Sequence, residues 1–185
     1  IIDYLRGAIA QPDPNIAGMG LTSFANSLKI ENCITRPGVI ASLTDPDYGE
    51  ISKPYASHSI PGTIPAAYYD IGARGLSYSD SDYWNDGDGG YNDGWVFRND
   101  GVDVEGSDDD PNIPYTVGWT EADEWLGYTI EDVLPGTYDV SFSISAPNAG
   151  GIFYAQLSGQ NLGVIDVPAT GGWYNWQDIP SQRIE

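Results

Sequence analysis

From about residue 100 onward, short runs of the chain alternate apolar and polar side chains, which is the pattern of half-buried β-strands. The alternation is strictest over residues 137–145, where large apolar side chains share one face and polar side chains the other. The apolar face consists of Tyr138, Val140, Phe142 and Ile144. Prolines and glycines that favour turns lie at 135–136 and 147–151. The sequence therefore predicts a strand between core and solvent here.

Similar runs recur at short intervals along this part of the chain. The predicted strands cover residues 101–105, 124–130, 137–145, 152–158, 162–167 and 173–179. Because only a turn-rich segment joins 137–145 to 152–158, we expect these two strands to be antiparallel neighbours. Such spacing is typical of a two-sheet antiparallel β-sandwich, either a jelly roll or an immunoglobulin-like fold. The predicted fold class is all-β, and periodicity alone does not choose between the two topologies.

Residues 1–59 differ from the rest because they are rich in proline and show few alternations. Strands are predicted at 27–35 and 38–43, and a helix over 22–29 competes with the first of them. The residues at helical spacing are Leu21, Phe24 and Leu28. We therefore expect an N-terminal extension of mixed coil and strand, acting as linker or connector, followed by the sandwich at 60–185.

Composition narrows the possible partners. The formal net charge of −20 repels nucleic-acid phosphates and anionic lipid head groups, so neither is an expected partner. With 41% hydrophobic residues the chain can form a real core. No apolar run is long enough to cross a membrane, and the first residues lack a basic leader, so we expect a soluble, processed chain. Few lysines and many acidic residues suit a secreted, extracellular setting.

Two single residues limit the catalytic and metal chemistry. Cys33 is the single cysteine and His58 the single histidine, so an internal disulfide and a zinc site of Cys and His ligands are both excluded. We expect Cys33 to be a buried small side chain, with an exposed thiol that could cross-link two chains as the alternative. His58 lies in a stretch of Ser and Pro that resembles a linker, with nothing to orient its ring. Among 27 acidic residues a carboxylate pair suited to glycoside hydrolysis could always be chosen afterwards, so the sequence assigns no pair a catalytic role.

The densest acidic stretch, residues 79–94, places Asp86 and Asp88 among glycines that favour turns. Oxygen-rich loops of this kind can hold calcium, so calcium is a candidate cofactor with these two residues as candidate ligands. Their spacing does not fit the helix-loop-helix calcium motif, because the next alternate position is Gly90. A solvated turn held by Asx-type hydrogen bonds is the alternative. Residues 107–112 form a weaker candidate of the same type.

Several blocks from Ile60 onward resemble, in their order, the family 6 carbohydrate-binding modules. The blocks are residues 60–64, 69–70, 97–105, 117–130, 135–145 and 167–176. The resemblance covers about two thirds of the chain. It implies a β-jelly roll attached to secreted enzymes that degrade polysaccharides, without catalytic activity of its own.

The resemblance also implies a carbohydrate-binding site. Phe97 and Trp173 match the aromatic platforms that sandwich a sugar ring, whose apolar C–H face stacks on an exposed aromatic. Arg74 and Tyr78 lie in the loop near the sugar, with Arg74 standing where the family has an acidic residue. Edge packing is the alternative role for Trp173. The other tryptophans of this region, Trp119, Trp125 and Trp176, are expected in the core.

The chain departs from the family pattern in two further places. The Glu-Ala-Glu that helps to hold a structural calcium is replaced by Pro65, Ala66 and Ala67. Only twelve residues follow Trp173, whereas the family continues with further strands and an asparagine of the binding site. A sandwich without these strands has an open edge. Either the sequence is part of a longer chain that supplies them, or a strand from the extension of a neighbouring copy fills the gap. Two functions therefore stand side by side: polysaccharide binding by aromatic stacking, and a head-to-tail extracellular filament assembled from copies of this chain.

Overall fold

The computed structural model describes Gly7 and residues 13–84 and 93–184. Within these residues the helices are α1 (Pro14–Ser27), α2 (Pro37–Thr44) and α3 (Gly94–Phe97), with 3₁₀ turns at Ile30–Asn32 and Ala66–Tyr68. The strands are β1 (Ser59–Ile60), β2 (Tyr78–Ser79), β3 (Val104–Gly106), β4 (Tyr115–Val117), β5 (Trp125–Leu126), β6 (Asp132–Val133), β7 (Tyr138–Ile144), β8 (Ile152–Leu157), β9 (Gln160–Asp166) and β10 (Gln177–Ile184).

Strands dominate the part of the chain from β1 onward, which confirms the predicted all-β sandwich fold class. They pair in five two-stranded sheets among the described residues: β1 with β6, β2 with β5, β3 with β4, β7 with β10 and β8 with β9. The first pair is parallel and the others are antiparallel. Most of these strands are only two or three residues long, so they form short ladders where the sequence predicted two continuous sheets.

The predicted pairing of β7 with β8 is wrong, although the positions of both strands are confirmed. β7 pairs with β10, and β8 forms a hairpin with β9 through Ser158 and Gly159. Both turn residues have positive φ, 48° and 82°, as a two-residue type I′ turn requires. The Phe142 and Phe153 rings meet edge to face at 5.1 Å, so β7 and β8 pack through their apolar faces.

From residue 13 onward the N-terminal segment contains two helices, and the strands predicted at 27–35 and 38–43 are wrong. α1 confirms the competing helix; Asp13 caps it by accepting the N–H of Asn15 at 2.8 Å. α2 replaces the predicted strand at 38–43, because Pro37 at its first turn is preset for a helix. From residue 13 to 35 every side chain except one is exposed, including Cys33, which is therefore not the buried side chain expected.

Residues 36–59 pack against the β-strands. The Arg36 guanidinium donates to the carbonyl of Trp95 at 3.1 Å, and Gly38 is buried beside the carbonyl of Arg98. His58 is also buried, with Nε2 3.0 Å from the carbonyl oxygen of Tyr68, so the interpretation of its surroundings as a linker is wrong. In the ranges that the structure describes, no helix is long and apolar enough to cross a membrane.

The best-packed core lies beneath the short strands β2 to β5. Its fully enclosed apolar side chains are Ala67, Tyr69, Tyr78, Val102 and Val104. Ala67 occupies one of the positions where the family pattern has its calcium-binding Glu pair. Trp125 is exposed, contrary to expectation, because β5 is an outer two-residue strand, whereas Trp119 and Trp176 are half-buried.

Candidate functional site

Trp173 lies in the loop that joins β9 to β10 and is 68% exposed. Gly171 has a φ of +93°, a conformation that favours glycine and lets the chain turn before the tryptophan. The Ser145 hydroxyl donates to the carbonyl oxygens of Gly172 and Trp173 and so ties the loop to the end of β7. The loop backbone is therefore held in place while the indole face remains accessible.

The residues that follow Trp173 are anchored through their side chains. The Tyr174 hydroxyl donates to Glu105 of β3 at 2.5 Å, and the Trp176 indole N–H donates to Asp109 at 2.7 Å. Both contacts join the loop to β3 and the turn after it. The Tyr174 ring is itself more than half exposed, so two neighbouring aromatic rings are presented at this edge. Such a pair can stack on the apolar face of a sugar.

Phe97 ends α3 and is packed within an aromatic cluster. Its ring stacks on Tyr115 at a centroid distance of 4.1 Å and contacts Tyr55 and Tyr68 at 5.8 and 6.1 Å. The side chain is half-buried and lies against the core that includes Tyr78. Its ring faces are therefore occupied by protein side chains.

Tyr78 belongs to the same core, and Arg74 lies close to it in the chain and in space. Tyr78 is buried, and its hydroxyl donates to the carbonyl of Asp100 at 2.8 Å. Arg74 is exposed, bridges to Tyr78 through the backbone and donates to the carbonyl of Ser81 at 3.1 Å. The structure thus brings Phe97, Tyr78 and Arg74 to one core and places Trp173 on a separate loop. Carbohydrate binding by these four residues stays a prediction.

Arg98 is a buried cation that the sequence did not single out. Its guanidinium donates to the carbonyls of Tyr69 and Asp70 at 2.5 and 3.0 Å, and its Nε lies 3.4 Å from Asp100. It also lies 3.8 Å from the centroid of the Tyr69 ring. Burial raises the pKa of Tyr69, Tyr78 and Asp100. The only signal for this residue in the sequence is that a single basic side chain follows the apolar run 95–97, in a block that resembles the family 6 modules.

A cavity of about 320 Å³ lies between α2 and the β-strands. It is lined mainly by aromatic and polar residues, with Gly38 and Val39 from α2, and it includes Tyr78, which the resemblance had already named: Gly38, Val39, Ser42, Tyr48, Tyr78, Tyr83, Asn99 and Asp100. The Tyr69 hydroxyl donates to one carboxylate oxygen of Asp100 at 2.5 Å, and the Arg98 Nε lies 3.4 Å from the other, so the carboxylate of this lining residue is held within the core. Sequence reasoning missed the cavity because its two walls come from segments about 40 residues apart.

Three aromatic residues beside the cavity form an exposed row, defined here as the aromatic row: Tyr83, Trp95 and Trp84. Trp95 is in the middle, with ring centroids 5.8 Å from Tyr83 on one side and 5.8 Å from Trp84 on the other. The exposed fraction is 51% for Tyr83, 38% for Trp95 and 68% for Trp84. Sequence reasoning treated this stretch only as an acidic loop.

Carboxylates surround this region. Burial and the nearby Glu124 raise the pKa of Asp80 to about 6. Asp86 and Asp88, the predicted calcium ligands, lie outside the described residues. Within 13–84 and 93–184 no group of three or more His, Cys, Asp or Glu side chains is placed to hold a metal ion. Calcium binding stays a prediction, and a rise in melting temperature on adding calcium would support it.

Comparison with known proteins supports a carbohydrate-binding module. Residues 98–184 match the model of the carbohydrate binding module family 35. The match supports a module of this kind but not family 6 specifically. The clotting factor G alpha subunit of Tachypleus tridentatus is 34% identical over 58 residues, which is 30% of this chain and 9% of that protein. The chain therefore matches only a small part of that relative.

Proposed function

We propose that this protein is a non-catalytic, extracellular carbohydrate-binding module that holds a polysaccharide by stacking it on Trp173. One observation carries the proposal: an indole that is 68% exposed lies on an anchored loop inside the residues that match the family 35 model. Tryptophan side chains are normally mostly buried, so a largely exposed indole on an anchored loop favours a role in ligand binding.

The chemistry of the loop fits a sugar ring. The apolar C–H face of the ring would lie on Trp173, and Tyr174 beside it offers a second surface. Glu105, which already accepts the Tyr174 hydroxyl, supplies further acceptor positions for sugar hydroxyls. Because Ser145 holds the loop before binding, little conformational entropy is lost when the ligand arrives.

Affinity electrophoresis in gels containing different polysaccharides tests the proposal. We expect the wild-type protein to be retarded by at least one polysaccharide, and Trp173→Ala to weaken binding about tenfold or more because the stacking surface is lost. Trp125→Ala is the matched control, since Trp125 is also exposed but lies on β5. Equal retardation of Trp173→Ala and the wild type would contradict the proposal.

A head-to-tail filament has less support as an alternative. A donated strand needs an extended segment, and the described part of the N-terminal segment is helical over Pro14–Ser27 and Pro37–Thr44. Light scattering over a wide concentration range separates the two functions. A filament predicts a mass that grows with concentration, whereas the binding module predicts a constant mass of 20.0 kDa.

A further inference from the structure

We propose that the aromatic row, together with the cavity beside it, is a second carbohydrate-binding surface that takes a neutral glycan chain. The inference rests on the proposed function in one respect, that the ligand is a carbohydrate. It concerns a different surface, because all three rings precede the matched residues 98–184 and one cavity wall belongs to α2. The Trp173 loop instead contacts β3 and the end of β7.

The geometry of the row suits consecutive sugar rings. Neighbouring ring planes are inclined by 39° between Tyr83 and Trp95 and by 33° between Trp95 and Trp84. Rings inclined in this way do not stack fully on one another, so part of each face remains open to a ligand. An exposed aromatic surface of this extent on a soluble protein is more often a binding site than an accident of packing.

The row is held in place without a ligand. The Trp95 indole N–H donates to the carbonyl of Tyr83 at 3.1 Å, and the Tyr83 hydroxyl donates to the carbonyl of Asn99 at 3.3 Å. Gly101 lets Tyr83 approach closely: a Cβ there would lie only 3.1 Å from the tyrosine ring. Arg36 fixes the backbone of Trp95 from the N-terminal segment. Side chains ordered in advance lose less entropy on binding.

The cavity supplies the polar partners that the rings lack. Its volume of about 320 Å³ is at the lower end of ligand pockets and suits one sugar ring at the end of a chain. Ser42 donates to the carbonyl of Val39, and its oxygen can still accept a hydrogen bond from a ligand. Asn99 and Asp100 line the same space. Tyr83 belongs to both features, so the row and the cavity are continuous.

The charge around the row selects a neutral glycan. Asp82 accepts the backbone N–H of Trp84 at 2.6 Å, so an exposed carboxylate borders the row at its most exposed ring. The chain as a whole carries a net charge of −20. Uronate or sulfated chains would meet like charge on arrival and on binding. A neutral chain avoids this cost and can use the Asp82 carboxylate as a hydrogen-bond acceptor.

Calorimetric titration with neutral hexasaccharides tests the proposal. The probes are hexasaccharides of β-1,4-glucan, β-1,3-glucan, β-1,4-xylan and agarose, and the proteins are the wild type, Trp84→Ala, Trp173→Ala, the double variant and Trp125→Ala. Trp84 is chosen because it is the most exposed ring of the row, so its removal leaves the fold intact. We expect two ligands per wild-type chain, one for each single variant at the binding surfaces and none for the double variant.

The outcomes separate this inference from the proposed function. If Trp84→Ala titrates like Trp125→Ala while Trp173→Ala loses binding, the second surface is wrong and the proposed function stands. If Trp84→Ala removes all binding and Trp173→Ala none, the second surface stands and the Trp173 site is wrong. No binding of any of the four probes would overturn both.

Three further measurements test the position of the site and the class of its ligand. Indole N–H resonances of the wild-type protein should shift for Trp84 and Trp95 during titration, with those of Trp125 unchanged; unchanged Trp84 and Trp95 signals would overturn the proposal. Trp84→Phe, which keeps an aromatic face, should restore most of the affinity lost in Trp84→Ala. A hexamer of galacturonate should bind the row at least about tenfold more weakly than the best neutral probe, and tighter binding would overturn the choice of ligand class.

Discussion

Arg98 is the residue at which the N-terminal segment, the core and the cavity meet. Its side chain is 1% exposed and lies between the rings of Tyr55 and Tyr69. Its two terminal nitrogens donate to the backbone carbonyls of Tyr69 and Asp70, which lie outside the strands. The buried charge is compensated by Asp100. Arg98 therefore holds together segments that the short sheets do not join.

Replacement of Arg98 should be severely destabilising. Arg98→Ala leaves the Asp100 carboxylate buried without its cation, and we expect the free energy of unfolding to fall by about 3–5 kcal/mol, measured by urea denaturation. Arg183→Ala is the control, because Arg183 pairs with Asp139 at the exposed surface and its removal should cause a far smaller loss of stability. Equal effects of the two substitutions would mean that burial of Arg98 contributes nothing.

Asp80 should make stability depend on pH. Its pKa is raised to about 6 by burial and by Glu124, above the ordinary 3.8, so the folded protein keeps this proton after the unfolded chain has lost it. The contribution is favourable below about pH 4 and is lost as the pH rises through about 6. Asp80→Asn should therefore raise the melting temperature more at pH 7 than at pH 3.5, whereas an equal change at both values would contradict this origin.

Asp139 provides a control of opposite sign for that experiment. Its hydrogen bond with Arg183 lowers the pKa of the carboxyl, so its favourable contribution is present at neutral pH and lost as the pH falls. Asp139→Asn should lower the melting temperature at pH 7 more than at pH 3.5. Relative to the wild type, the melting temperature of Asp80→Asn should therefore rise between pH 3.5 and pH 7, whereas that of Asp139→Asn should fall.

Among the elements, the β8–β9 hairpin depends most on a single turn. Gly159 has a φ of 82°, and a Cβ added there would meet no atom within 4 Å, so Gly159→Ala tests the backbone alone. We expect a loss of about 1 kcal/mol in the free energy of unfolding. Ser158→Asn should act in the opposite direction, because asparagine adopts positive φ more readily than serine. A stabilising Gly159→Ala would show that the turn relaxes to another type.

The position of each strand near the C-terminus could be predicted from sequence, because alternation is a local property that survives in the folded protein. β7 keeps its apolar residues inward and its polar residues outward along its full length. Pairing could not be predicted, since β7 pairs with β10, which lies more than 30 residues further along the chain, while the turn at Ser158 joins β8 to β9. α2 was predicted as a strand because Val39 and its neighbours form a short apolar run, and such a run fits a buried strand as well as a helix.

The site was predictable only where one loop carries it. Trp173 follows two glycines in sequence, so its exposure could be anticipated. The cavity and the aromatic row join residues near 40 to residues near 83 and 99, and no local pattern reports such a contact. Phe97 was chosen by resemblance, and its ring is enclosed because Tyr55, from a segment taken for a linker, packs against it.

For the whole molecule, exposure predicts where the chain is cut first. Lys29 lies between α1 and the 3₁₀ turn at Ile30–Asn32, in a stretch whose side chains are exposed, whereas Arg98 is enclosed. We expect trypsin to cleave after Lys29 within minutes and to leave the remaining fragment with an unchanged melting temperature. Earlier cleavage after Arg98, or a lower melting temperature of the fragment, would mean that α1 supports the fold.

The packing of residues 36–59 matters to anyone who would transplant this module into a fusion protein. A cloning boundary drawn at residue 60, where the alternating strands begin, would discard Tyr55, His58 and the whole of α2. Without Tyr55 the shortened protein would expose the Arg98 guanidinium to solvent. Without α2 the cavity beside Tyr83 would lose one wall. A fusion should instead begin just before Arg36, because the hydrogen bond from its guanidinium to the Trp95 carbonyl holds residues 36–59 against the strands.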